Sequence, residues 1–110
     1  KAPRVEEIFE VVETQPSFPG GEEELFKFIR QNTDYPDSAK ENGINGKVYV
    51  QFVVTKTGEV NDIKVIRGIG GGCDEAAVAV VSKMPNWIPG EQRGKKIDVR
   101  FVLPISFKLE

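Results

Sequence analysis

The stretch that decides the fold is residues 46–67, GKVYVQFVVTKTGEVNDIKVIR. Val48, Val50, Phe52 and Val54 alternate with Lys47, Tyr49, Gln51 and Thr55. That period of two is the pattern of a strand with one buried face. Thr57-Gly58 supplies a tight turn. Val60, Ile63 and Val65 then carry a return strand over 59–67. The spacing shifts between Val60 and Ile63, which predicts a bulge or twist there. The segment reads as a β-hairpin.

On its C-terminal side lies a glycine-rich loop, Gly68 with Gly70, Gly71 and Gly72. A helix is expected from about Asp74 to Met84, with Ala77, Val80, Val81 and Met84 as its buried stripe. Asp74 and Glu75 suit the positive end of its dipole, and Pro85 ends it. Asn86 to Gly90 is a connector anchored by Trp87. Ile97, Val99, Phe101, Leu103, Ile105, Phe107 and Leu109 then alternate without a break, giving a long last strand. Pro104 has no N–H to donate and marks that strand as an edge.

On the N-terminal side, Pro36 suits a first helical position and Gly43 a helix end, so 36–42 is a short helix with Ala39 inward. Glu22, Glu23 and Glu24 open an earlier helix with Leu25, Phe28 and Ile29 on one face. Residues 15–21, with two prolines and two glycines, form a turn, and residues 5–13 can form a short strand. The expected fold is α+β: a small antiparallel sheet of about three strands, hairpin plus long C-terminal edge strand, with helices packed on one face. Residues 1–14 are an N-terminal segment leading in from a linker, and residues 15–110 are the domain.

The chain has 110 residues, no histidine and one cysteine. That length fits one domain. Without histidine there is no Ser-His or Cys-His pair, and one cysteine makes neither an internal disulfide nor a cysteine-rich zinc site. A net charge of −2 argues against an electrostatically driven nucleic-acid binder. The charge is uneven: residues 1–46 carry −5 and residues 47–110 carry +3. The chain starts at Lys1, and no apolar run is long enough for a signal peptide or membrane span, so it reads as a domain of something longer. No cofactor or metal is expected.

Each candidate for chemistry has an ordinary explanation. The glycine loop before a helix resembles a phosphate cradle, but Asp74 and Glu75 repel phosphate and the P-loop ending is missing. Cys73 stands at a helix start, yet the same two carboxylates oppose its ionisation and no histidine can serve as its base. A thiol enzyme is therefore the remote alternative. Asp34 and Asp37 flank a turn and helix start, where aspartate is structural. Arg93, Lys95, Lys96 and Arg100 near Trp87 make a modest basic patch, diluted by Glu91 and Asp98. What remains is a backbone surface. An edge strand can accept a partner strand, and about five added bonds at roughly 1 kcal/mol each would give modest, reversible affinity. The competing reading is an edge protected by Pro104, Lys108 and the chain end.

An ordered set of short motifs carries a resemblance over most of the chain from about residue 15. Tyr35-Pro36, Ala39, Gly43-Ile44-Asn45-Gly46-Lys47-Val48, Phe52-Val53-Val54 and Gly58-Glu59-Val60 come first. Ala76-Ala77, Met84-Pro85, Trp87, Pro89-Gly90, Arg93-Gly94-Lys95 and Leu103-Pro104 follow. Together they resemble the C-terminal domain of TonB, the energy transducer of Gram-negative bacteria, in its Bacteroidetes-type form. The resemblance implies a non-enzymatic periplasmic domain of an inner-membrane-anchored protein. Its missing N-terminal helix would meet the proton-channel motor complex. The domain would capture the TonB box of outer-membrane TonB-dependent transporters by strand addition and remodel their plug, for uptake of siderophores or other nutrients.

The resemblance also implies sites. The docking edge would lie within 97–107, through Val99, Arg100, Phe101, Val102, Leu103, Pro104, Ile105 and Ser106. The family's Gln-Pro-x-Tyr-Pro segment maps to Asn32, Thr33, Asp34, Tyr35 and Pro36, with Thr33 in place of proline and an acidic residue after it. Similar domains also occur as C-terminal appendages of membrane-bound sensor or peptidase-like proteins, which is the alternative reading. An open edge also allows a homodimer.

Overall fold

The computed structural model describes Ile8, Phe9 and residues 13–108. The rest of the expected 5–13 strand, Glu13 apart, and Leu109 at the end of the alternating row lie outside the described residues. The order is β1 (Ile8–Phe9), α1 (Glu22–Asn32), α2 (Asp37–Glu41), β2 (Gly46–Val54), β3 (Val60–Arg67), α3 (Cys73–Ser82), β4 (Gly90–Gln92) and β5 (Lys95–Phe107). The architecture is the expected α+β one. β2 and β3 pair antiparallel as the hairpin, and β5 lies antiparallel on the other side of β2 in unbroken register from Gly46↔Phe107 to Val54↔Val99.

The alternation in β2 and β5 explains the layers. Val48, Val50, Phe52 and Val54 point to the same face as Val99, Leu103, Ile105 and Phe107, and all eight are buried. That face receives Ala77, Val80 and Val81 from α3 and Leu25 and Ile29 from α1. Phe18 and Trp87 close the core, the indole standing edge-on to Phe18 at 5.6 Å and Phe52 at 5.5 Å. Trp87 is thus an interior anchor and offers no stacking face beside the basic patch.

The hairpin bulge falls where the spacing predicts it. Gln51 pairs Lys64 but Val53 pairs Asn61, so β3 holds one extra residue, and Asp62 takes a left-handed φ of 54° to absorb it. A second shift between Tyr49 and Val50 was not foreseen.

Three local expectations need correction. Pro36 precedes α2 as its N-cap with extended ψ of 139°, rather than opening the helix. The third helix starts at Cys73 and ends at Ser82; Lys83 and Met84 turn more tightly, their N–H groups donating to Val80 O and Val81 O. The sheet also has two short strands beyond the expected three. β4 folds back on β5 through Arg93-Gly94, whose φ values of 56° and 76° are those of a type I′ hairpin turn. β1 pairs in parallel with β5, Ile8 opposite Asp98 and Phe9 opposite Val99.

Candidate docking site

β5 has two flanks, and they differ. One is paired with β2 over Val99–Phe107. The other is covered over Asp98–Val99 by β1, while β4 pairs with Lys95–Ile97 beyond the end of β2. Beyond Arg100, no strand among the described residues pairs with that outer flank. Of the edge expected over 97–107, the stretch beyond Arg100 is thus the one left open past β1. Val99 already has a strand on each side and is fully buried, so it offers no free backbone.

Pro104 sets the polarity of the open stretch. It stands opposite Tyr49 within the unbroken β2 ladder. A proline leaves that ladder intact only if its nitrogen faces the other way. Residues two apart share a direction, so the N–H groups of Arg100, Val102 and Ser106 face outward with it. Those of Phe101, Leu103 and Ile105 face β2.

The Asn32–Pro36 segment meets this edge near its end. Asn32 closes α1 with its side-chain amide donating to Phe28 O at 2.8 Å, and Thr33 donates through its N–H and hydroxyl to Ile29 O. These side chains satisfy their own helix end. The Tyr35 hydroxyl donates to Ile44 O, and its ring stands edge-on to Phe107 at 5.5 Å. Burial, and secondarily the Cys73 thiolate, push the Tyr35 phenol above its ordinary pKa.

An open groove of about 550 Å³ runs between β5 and α1. Of the sequence-chosen residues, Thr33, Tyr35, Pro104 and Ser106 line it together. Asn32, Asp34 and Pro36 stand outside it. Arg100, Phe101 and Val102 instead line a shallow recess with Gln15 and Gln51, while Leu103 and Ile105 belong to the core. Sequence reasoning missed Phe26, Ile29 and Arg30, which form the α1 wall. With Thr33 they follow an i, i+3, i+4, i+7 spacing, a stripe beside the buried one. An apolar Phe26 outside the Leu25–Ile29 stripe was the available signal.

The other candidates resolve into structure. The Asp74 carboxylate accepts from the N–H groups of Ile69 at 2.9 Å and Gly70 at 3.2 Å. It thus fills the place a phosphate would take at that loop. Cys73 is fully buried, and burial first, then Asp74 and Glu75, push its thiol above the ordinary value. That is the setting of an inert thiol. Arg93, Lys95 and Lys96 are exposed on the β4–β5 hairpin.

The family model for the Gram-negative bacterial TonB protein C-terminal matches residues 31–109. The chain belongs to this family. Two solution structures of the Helicobacter pylori TonB-CTD are similar to it. One, of residues 179–285, is 27% identical, with 84% of this chain and 87% of that chain covered at a TM-score of 0.59. The other, of residues 194–285, is 24% identical, with 78% and 90% covered at a TM-score of 0.55. No match was found among curated proteins. The TonB C-terminal family is a non-enzymatic, transport-associated interaction family, and no helix among the described residues is long and apolar enough to cross a membrane.

Proposed function

We propose that this TonB C-terminal domain captures the TonB box of an outer-membrane TonB-dependent transporter by strand addition along Arg100–Phe107, in the periplasm. It passes on force that originates at an inner-membrane proton-channel complex. The unpaired outer flank of β5 is the observation that carries the reading. An added strand would find two outward N–H groups, at Val102 and Ser106, besides the outward carbonyls. Residues 15–110 act as the folded unit and 1–14 as its lead-in. The bridges Thr14↔Glu91 and Ser17↔Ile88 tie the start of that unit to the β4 region. A pull arriving from the N-terminal side would therefore reach the sheet close to β5.

The test is titration of the ¹⁵N-labelled domain with a peptide carrying a transporter's TonB box. Amides of residues 100–107 should broaden or shift, with those of 32–36 following. Perturbation confined to Gly68–Gly72 would refute the proposal.

A further inference from the structure

We infer that the outer stripe of α1 selects which segment the β5 edge accepts: Phe26 seats a large apolar side chain, and Arg30 with Lys108 seats a carboxylate. The inference rests on the docking reading above and adds the chemistry of the partner. A strand laid along residues 100–107 sends alternate side chains to the two faces of the sheet. Those on the helix-bearing face run into the groove beside α1.

Three observations give that groove its chemistry. Phe26 is 50% exposed on an 11-residue helix that already buries Leu25 and Ile29. A lone exposed phenylalanine on a flat surface would need no explanation. This one shares a concave wall with Tyr35 and Pro104, so an apolar side chain entering there would be enclosed from several sides. Arg30 and Lys108 reach into the same space, and no carboxylate lines it. Neither cation has an ion-pair partner among the described residues. A segment with a lysine or arginine at that place would meet like charge, whereas an acidic one would be drawn in. The matching occupant is one extended partner segment with a bulky apolar residue and a nearby acidic residue on its helix-facing side. The edge backbone accepts any extended segment; α1 discriminates among them.

The test uses two synthetic eight-residue peptides that alternate Thr and Val. One carries Phe on the helix-facing side with Glu two residues away; the other carries Ser and Lys there. Affinities are measured by calorimetry with the full chain, and the edge amides are followed by NMR. The Phe/Glu peptide should bind about tenfold tighter, from apolar burial plus an exposed ion pair. Phe26→Ser and Arg30→Glu should each shrink that preference, and Arg30→Glu should improve binding of the Lys peptide. Both side chains are exposed, so the fold should survive, and amides 100–107 should still respond in each variant. An undiminished preference in both variants, with edge amides still responding, would overturn this inference and leave strand addition standing. Peptides that bind without moving the edge amides would overturn both.

Discussion

The direction in which each β5 residue points its N–H group can be tested with two adjacent prolines. Val102 lies opposite Gln51, with the polarity of Pro104, so its N–H faces the open flank. Val102→Pro removes one of the two outward donors at Val102 and Ser106 and leaves the β2 ladder intact. Phe101, which would precede the new proline, is already in a strand, so the backbone restriction is met. Binding of a TonB-box peptide should lose one hydrogen bond and strand one partner carbonyl, about 1–2 kcal/mol together. That corresponds to a roughly 5–30-fold weaker complex. Thermal stability should change little. Leu103→Pro, one residue along, should behave in the opposite way. It removes a donor that faces β2 and a side chain that is only 4% exposed, opposite Val50. Loss of that side chain alone costs about 2–5 kcal/mol, against a total of roughly 5–15 kcal/mol for a domain. Calorimetric titration and thermal unfolding of both variants, with Val102→Thr as a control that keeps the N–H, separate the two effects. If Val102→Pro binds like wild type, or unfolds the domain while Leu103→Pro does not, the assigned polarity of β5 is wrong.

Tyr35→Phe removes the hydroxyl that donates to Ile44 O. It should cost about 1 kcal/mol, seen as a drop of roughly 4–8 °C in the thermal midpoint. Gly58→Ala should cost more, because φ is +90° there and the new Cβ would run into Trp87 O, backbone that cannot swing aside; denaturant unfolding should show a loss of at least about 2 kcal/mol. Cys73 should label slowly with a thiol reagent at neutral pH in the native domain and quickly once unfolded, since burial and two carboxylates hold its pKa high. The Cys73 and Tyr35 pKa values are both raised by folding, so the unfolded chain gives up these protons first. Their contribution to stability is full below the ordinary values and shrinks as pH rises through about 8.5–10. A thermal midpoint that stays flat or rises over that range would contradict the sign.

Local chemistry made much of the architecture readable in advance. The hairpin was legible because Val48 to Val54 alternate without interruption, and the bulge because the apolar spacing breaks between Val60 and Ile63. The three helices followed from apolar residues at i, i+3 and i+4 and from Gly43 and Pro85 at their ends. The first short strand lies within the 5–13 segment read as strand-forming, but its pairing was not legible, nor was the second strand. Ile8–Phe9 and Gly90–Gln92 are too brief to show a period, and only the Arg93-Gly94 turn hinted at the second. The candidate site was half legible. Tyr35 and Pro104 were found as motif residues and do share a groove, while Val99 was assigned to an open edge because a strand's own sequence does not say what lies beside it.

The sequence by itself determined the period of each long element, the buried face of the sheet, the absence of histidine-based chemistry and the family motifs. These depend on the spacing of side chains along one segment, and that spacing is local. Only the tertiary structure decided which flank of β5 is free and for how far. It also decided that Phe26 and Arg30 of α1 form a wall with Pro104 and Lys108. Both facts depend on backbone and side chains from opposite ends of the chain meeting in space. Strand pairing uses main-chain groups that every residue but proline carries, so side-chain pattern holds almost no record of it.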